Sequence, residues 1–209
     1  MARLIYVMDP MCSWCWGFAP VLQGLAEQAA EHGVPLVLRV GGLRREQIAM
    51  DDAGRSCTLS YWQAVHNATG QPFDFEGGLP AGLIYNTEPA CRALVAARGL
   101  DESRVWPLSL LIQQAIYQLG RDVTQAALLV ELAEAAGLSR ERFAERYDDP
   151  ATKAETAGDF SWVENLGIAG FPTLLAEHQG QLALLTNGYQ PLTVLAPLLG
   201  RWLEHNAHA

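Results

Sequence analysis

Two cysteines, Cys12 and Cys15, stand three positions apart in the stretch "MDPMCSWCWGFAP" (8–20). A thiol pair at this spacing can clip a metal, staple a loop or exchange electrons with a disulfide. Zinc wants four ligands, and no second C-x-x-C or H-x-x-x-H accompanies the pair, which disfavours a metal site. An inert pair of buried thiols is the remaining bland alternative. Position favours redox chemistry. The apolar run "RLIYVM" (3–8) reads as a buried strand, and a helix is expected to start at the cysteines. Free N–H groups at a helix start favour a negative sulfur, which is the reactive form. Cys12 would attack a disulfide sulfur to form a mixed disulfide. Cys15, one turn later, would attack that bond and release the product, leaving the pair oxidised.

A second element lies far along the chain. "GIAGFPT" (167–173) sets Phe171-Pro172 directly before an expected strand. X-Pro is the one peptide bond that commonly goes cis. A cis bond at Pro172 would turn the Phe171 backbone toward the Cys12 sulfur and offer strand-like hydrogen bonds to an extended substrate. Asp9-Pro10 reads as a turn that ends the strand; the alternative is that Asp9 relays a proton to a cysteine. Trp14, between the cysteines, is the better substrate contact, whereas Trp16 on the helix is expected to be buried. Cys57 and Cys91 read as packing thiols, with a regulatory or shuttle role as the alternative, and no metal site is expected.

The elements that must hold these residues follow from periodicity. Phe18, Leu22, Leu25 and Ala29 line one helical face, and Gly33 supplies a left-handed stop. "PLVLRV" (35–40) is a second buried strand, ended by Gly41-Gly42. From 43 to about 155 the pattern is helical, broken by one loop, "GQPFDFEGGLPAG" (70–82). Within it, 88–99 has Thr87 as a cap, Pro89 in its first turn and Gly99 as a stop. Val105, Leu108, Ile112, Ala115 and Leu119 mark the next helix, and 124–137 and 139–147 follow the same logic. After a helix near 151–166, strands are expected at 172–177 and 182–187 as a hairpin around "HQGQ". A last helix runs from Pro191 to about His205, with a kink expected at Pro197. The order is that of an α/β thioredoxin-like fold, with a core at 1–42 and 156–209 and an inserted α-helical lobe at 43–155.

Composition narrows the partners. The chain has 209 residues, 50% hydrophobic, enough for one large domain, and a formal net charge of −9. Its basic residues are scattered, with Arg44-Arg45 the only adjacent pair, so nucleic acid is excluded as a partner. "MARLIYVMDP" is too short in apolar residues for a secretory signal, and no stretch approaches a membrane span. The expected compartment is the cytoplasm, where disulfide frameworks are rare and a close cysteine pair is more often chemical than structural.

"DPMCSWCWG" (9–17), the helical insertion and "GIAGFPT" (167–173) together resemble the DsbA-like branch of the thioredoxin superfamily. Within it they are similar to the cytoplasmic FrnE-like group of protein-disulfide isomerases. The resemblance implies Cys12 as nucleophile, Cys15 as resolving cysteine and Pro172 as the facing cis-proline. It further implies a thiol-disulfide reductase or isomerase acting on protein or small-molecule thiols and disulfides. No cofactor is implied beyond the redox-active pair, with glutathione as a possible co-substrate. The pair encloses Ser-Trp where secreted oxidases of the branch carry Pro-His, and intervening residues tune thiolate against disulfide. "YNTEPACRA" (85–93) is similar to helix starts near the substrate pocket of kappa-class glutathione transferases and hydroxychromene-carboxylate isomerases. That likeness would place Asn86, Thr87 and Arg92 along the cleft; a capped helix with an exposed arginine is the alternative. Two rival functions are a glutathione-dependent isomerase or transferase on the same fold, and a redox-sensing chaperone or binding module. The intact cysteine pair counts against the first, whose members generally carry Ser at the nucleophile position.

Overall fold

Residues 4–8 are apolar without interruption because both faces of the strand they form are covered. The structure, a computed structural model, describes residues 2–206. β1 (Ala2–Met8), α1 (Ser13–Ala30) and β2 (Leu36–Val40) come first. The middle of the chain contributes β3 (Arg45–Ala49), α2 (Asp52–Thr69), β4 (Ile84–Asn86), α3 (Glu88–Leu100), α4 (Val105–Tyr117), α5 (Ala126–Ala135) and α6 (Arg140–Asp148). α7 (Pro150–Asn165), β5 (Thr173–His178), β6 (Gln181–Asn187) and α8 (Leu192–Asn206) complete it. A four-stranded sheet runs β2-β1-β5-β6, with β2 parallel to β1 and both later strands antiparallel to their neighbours. This is the thioredoxin-like α/β architecture expected from the order of elements. The expected boundary between residues 155 and 156 falls inside the continuous helix α7.

Alternation along β1 sorts its side chains. Leu4, Tyr6 and Met8 join the larger core with Phe18, Leu22 and Leu25 of α1 and Leu195, Leu199 and Leu203 of α8. Ile5 and Val7 pack on the other face with Leu175 and with Val163 of α7. Burying one such aliphatic side chain contributes about 1.5–3 kcal/mol before conformational entropy is counted. The β5–β6 turn places Gln179 at φ 51° and Gly180 at φ 79°, the mirror-image geometry that matches strand twist.

α1 contains a proline, Pro20, which has no N–H to give to the carbonyl four residues earlier. That carbonyl belongs to Trp16, and the Gln71 side chain supplies the missing bond through Nε2 at 2.8 Å. The loop after α2 thus repairs the helix that carries the cysteines. Trp16 returns the contact, its Nε1 donating to the Pro72 carbonyl at 3.0 Å.

Three expectations are corrected. The segment 43–155 is not wholly helical: β3 and β4 pair antiparallel, Arg45 opposite Asn86 and Ala49 opposite Ile84. β3 is exposed along its whole length, so no apolar alternation marks it in the sequence. Gly99 does not stop α3, which continues to Leu100; it makes room for Arg146, whose Nε would lie 2.7 Å from a Cβ there. Leu119 lies beyond α4, at 65% exposure, where Gly120 turns the chain with φ 59°. Among the described residues no helix is long and apolar enough to cross a membrane.

Buried Asp159 of α7 joins three elements, accepting from Arg39 of β2 at 2.7 Å, from Arg98 of α3 at 2.8 Å and from the Val40 N–H at 3.2 Å. Asp159→Ala leaves two half-buried guanidinium groups and a strand N–H without this acceptor. We expect a loss of about 2–3 kcal/mol, discounted for the partial exposure of both arginines. A urea midpoint that falls at unchanged slope would show it.

Candidate active site

The first strand delivers the chain to the cysteine pair through Asp9. Its carboxylate is fully buried, with Oδ1 accepting from the Met11 N–H at 2.8 Å and Oδ2 from the Leu43 N–H at 2.7 Å. The Cys91 thiol also donates to Oδ2, at 3.5 Å. One side chain therefore ties the loop after β1 to the loop after β2. Burial pushes the Asp9 carboxyl above its ordinary 3.8, against the pull of the Thr87 hydroxyl, the two N–H groups and the Cys91 thiol. The carboxylate's hydrogen bonds go to these groups rather than to either cysteine of the pair.

Cys12 is the N-cap of α1, with φ −88° and ψ 115° and no side-chain cap. Its carbonyl accepts from the N–H groups of Cys15 at 3.0 Å and Trp16 at 3.2 Å, which closes the first turn. Both thiols are free; Cys12 is 7% exposed and Cys15 only 1%. Burial, with the neighbouring Cys12 second, pushes the Cys15 thiol well above its ordinary range. The buried Tyr6 hydroxyl faces the Cys15 sulfur and is itself raised, chiefly by burial.

The Phe171–Pro172 peptide is cis, and the Cys12 thiol donates to the Phe171 carbonyl at 3.7 Å. Residues 159 positions apart in sequence thus meet at one sulfur. Gly41 makes room for this loop: a Cβ there would fall 1.9 Å from the Phe171 ring. Beside the sulfur opens a cavity of about 270 Å³ whose walls include Cys12, Trp14, Arg44, Trp62, Tyr85 and Phe171. A second hollow of about 300 Å³ lies between Trp14, Phe171, Gly188 and Tyr189. Trp14 borders both, with its ring 6.0 Å from that of Tyr189. Trp16 is buried, 4% exposed, and stacked on Tyr117.

Cys12, Cys15, Trp14, Phe171 and Pro172 therefore converge, with Asp9 beneath them. Asn86, Thr87 and Arg92 do not line the cavity, and their expected placement along the cleft is corrected. Thr87 is the N-cap of α3, as expected, but its side chain makes no capping bond; the Asn86 Oδ1 accepts from the Glu88 N–H at 3.1 Å instead. Thr87 is buried and turned inward, bonded to the Arg44 backbone. Arg92 points toward α6, paired with Glu88 at 3.1 Å and lying 4.2 Å over the Tyr147 ring. Among the remaining thiols, Cys91 is buried, as a packing thiol should be, whereas Cys57 is exposed on α2, which corrects the packing reading there. Among the described residues no group of three or more His, Cys, Asp or Glu could hold a metal ion.

Sequence reasoning missed Arg44, Tyr85 and Trp62. Arg44 carried a readable signal: it follows the Gly-Gly that ends β2, at the strand end where ligand crevices open in such sheets. Tyr85 adjoins the singled-out Asn86, and its hydroxyl donates to the Met11 carbonyl in the cysteine loop. Trp62 sits on α2, where nothing local distinguishes it from a core residue.

Residues 3–200 match the DSBA-like thioredoxin domain family. A candidate protein disulfide isomerase from Nitrosomonas europaea is 38% identical, with a TM-score of 0.91 over 100% of this chain and 99% of that one. The cytosolic disulfide reductase DsbM from Pseudomonas aeruginosa is 31% identical, with a TM-score of 0.80 over 96% of this chain and 98% of that one. A second DsbM structure, with glutathione, is 29% identical at a TM-score of 0.77, covering 96% of this chain and 98% of that one. A 2-hydroxychromene-2-carboxylate isomerase shares the fold at 15% identity and a TM-score of 0.64. No curated protein matches the chain. With its family domain spanning nearly the whole length and its cysteine pair opposite a cis-proline, the chain belongs to the DsbA-like thioredoxin family.

Proposed function

We propose that this protein is a cytoplasmic thiol-disulfide oxidoreductase that reduces or isomerises disulfides, with glutathione thiol as its source of electrons. The observation that carries the reading is the asymmetry of the pair. Cys12 reaches the cavity at the start of a helix, beside the Phe171 carbonyl, while Cys15 is sealed beneath it. The cytoplasmic reading is supported by the cytosolic reductase DsbM, 31% identical to this chain.

The steps balance as follows. The Cys12 thiolate attacks one sulfur of the substrate disulfide, forming a mixed disulfide and releasing the other sulfur as a thiolate, which takes a proton. Cys15 loses its proton and attacks the Cys12 sulfur, closing the Cys12–Cys15 disulfide and releasing the second substrate thiol. Two protein thiols are oxidised and one disulfide is reduced. Two glutathione thiols then restore the pair and leave as glutathione disulfide. The high Cys15 thiol suits the order of events, because it stays protonated until Cys12 is occupied. The backbone at Phe171 offers an edge on which an extended segment can lie.

Cys12→Ser should lower disulfide reduction by roughly three orders of magnitude or more, since the attacking sulfur is gone. Cys15→Ser should instead accumulate a mixed disulfide on Cys12, detectable as a mass increment that dithiothreitol removes. Alkylation of the reduced protein should modify Cys12 before the buried Cys15. Tight glutathione binding without reduction of insulin or small disulfides would favour the isomerase or transferase reading. Client protection retained in Cys12→Ser would favour a binding module.

Asp9 gives a pH signature. Its carboxyl is raised on folding, so the folded protein holds a proton that the unfolded chain has already lost. Stability from this group is therefore greatest below the unfolded value of 3.8 and falls as pH rises toward the folded value. Asp9→Asn removes that slope. It also sets an amide nitrogen against one of two backbone N–H groups, at a cost of about 1–3 kcal/mol. Denaturant melts of both proteins from pH 3 to pH 7 would test both effects.

A further inference from the structure

The arginines of this chain mostly stand in ion pairs, as Arg3, Arg39, Arg45, Arg92, Arg98 and Arg121 do. Arg44 does not. Among the described residues no carboxylate pairs with it, although Glu46 and Asp51 share an adjoining hollow of about 220 Å³. Its guanidinium instead lies half-buried, 4.9 Å over the Tyr85 ring, on the wall of the cavity that holds the Cys12 sulfur. A cation left unpaired among Trp14, Trp62, Tyr85 and Phe171 interacts more strongly with an incoming anion than the same group in open water would.

The backbone that carries this cation is pinned on both sides. The Thr87 N–H donates to the Arg44 carbonyl at 2.9 Å, and the preceding Leu43 N–H is held by Asp9 at 2.7 Å. Tyr85, on which the guanidinium rests, is anchored to the Met11 carbonyl next to Cys12. Asp9 and Tyr85 thus tie the loop that carries Arg44 to the loop that carries Cys12. Size adds a second constraint. A cavity of about 270 Å³ sits near the lower end for small-molecule pockets and takes a low-mass group rather than a folded surface. Charge adds a third: on a chain of net charge −9, an anionic substrate needs a local cation to reach the site.

We propose that Arg44 is a specificity residue that receives a substrate carboxylate, so that the protein prefers small, acidic disulfides and thiols over neutral or cationic ones. The inference rests on the thiol-disulfide reading of Cys12 and Cys15 and names the substrate class for that site. Glutathione disulfide belongs to the class.

The test is single-turnover oxidation of the reduced full-length protein by three disulfides: glutathione disulfide, neutral 2-hydroxyethyl disulfide and cationic cystamine. In each, two protein thiols lose two electrons and two protons, and the disulfide becomes two thiols. Acid-quenched mass spectrometry follows the loss of free Cys12 and Cys15. Arg44→Gln should lower the ratio of the glutathione-disulfide rate to the neutral rate about tenfold or more, as expected for losing a charge-assisted hydrogen bond. Arg44→Lys should keep most of that ratio, and Arg44→Glu should lower it further while raising the cystamine ratio. Added salt should shrink the wild-type preference. If all three rates fall together in every variant, with ratios within about twofold of wild type, Arg44 only braces Tyr85 and the inference is overturned. If the wild-type pair is oxidised by none of the three, the thiol-disulfide reading itself fails and the inference falls with it.

Discussion

A single buried carboxylate sets the geometry on which everything else depends. Strands β1 and β2 run parallel with Met8 opposite Val40, so both chains leave the sheet at the same edge. The first goes on to Cys12 and the second to Arg44. Nothing in a parallel strand pair fixes how the two departing loops lie against each other. Asp9 does so, with one oxygen on each loop's N–H group. Backbone N–H groups left unpaired in an interior cost about 1–3 kcal/mol each, so this acceptor stabilises both loops at once. Its own burial would favour the neutral acid, and the opposing hydrogen bonds limit that tendency. A group in such a balance is a poor site for substitution even if it never exchanges a proton with substrate.

Beneath the pair the protein has removed water. Tyr6, Tyr85, Tyr117, Cys15 and Cys91 are all buried, and burial is the largest cause of the upward shift in each. Such surroundings hold protons on every acid in the group, whereas Cys12 stands at the helix start and on the cavity wall. Two chemically identical thiols therefore differ in depth, Cys12 on the cavity wall and Cys15 beneath it, and in neighbours, the Phe171 carbonyl for one and Tyr6 for the other. One turn of helix is enough to produce the difference.

Much of this was legible in the chain itself, for a physical reason. β1, α1 and the cysteine pair are defined by local patterns: an unbroken apolar run, residues on one helical face, and a spacing that lets two sulfurs meet. Phe171-Pro172 was legible because only an X-Pro bond readily supplies that backbone geometry. The small β3–β4 sheet was not, since β3 is exposed throughout and its pairing depends on a partner about forty residues away. Arg92 was misplaced for a related reason. Its likeness to helix starts near a substrate pocket pointed to the cleft, but the Tyr147 ring and Glu88 one turn earlier decide where the guanidinium goes. Thr87 caps α3 by position only, because its hydroxyl finds the Arg44 backbone, a contact 43 positions away. Local pattern gave the scaffold, and long-range contacts chose the lining of the site.

The inserted segment is more than a cover over a finished core. Pro20 leaves a carbonyl of α1 without its helical partner, and the Gln71 side chain supplies the bond. Trp16 then donates to Pro72, and Gly17 lets Val65 of α2 approach to within 2.6 Å of where a Cβ would stand. The helix that carries the thiols is thus completed by the same segment that supplies Trp62 and Tyr85 to the cavity wall. A core stripped of the insertion would retain the sheet's hydrogen bonds but lose a satisfied carbonyl in its first helix, one wall of its cavity and the Arg44–Tyr85 contact together. The cavity wall and the integrity of the cysteine-bearing helix are for that reason coupled through the same insertion, which cannot vary freely without altering both.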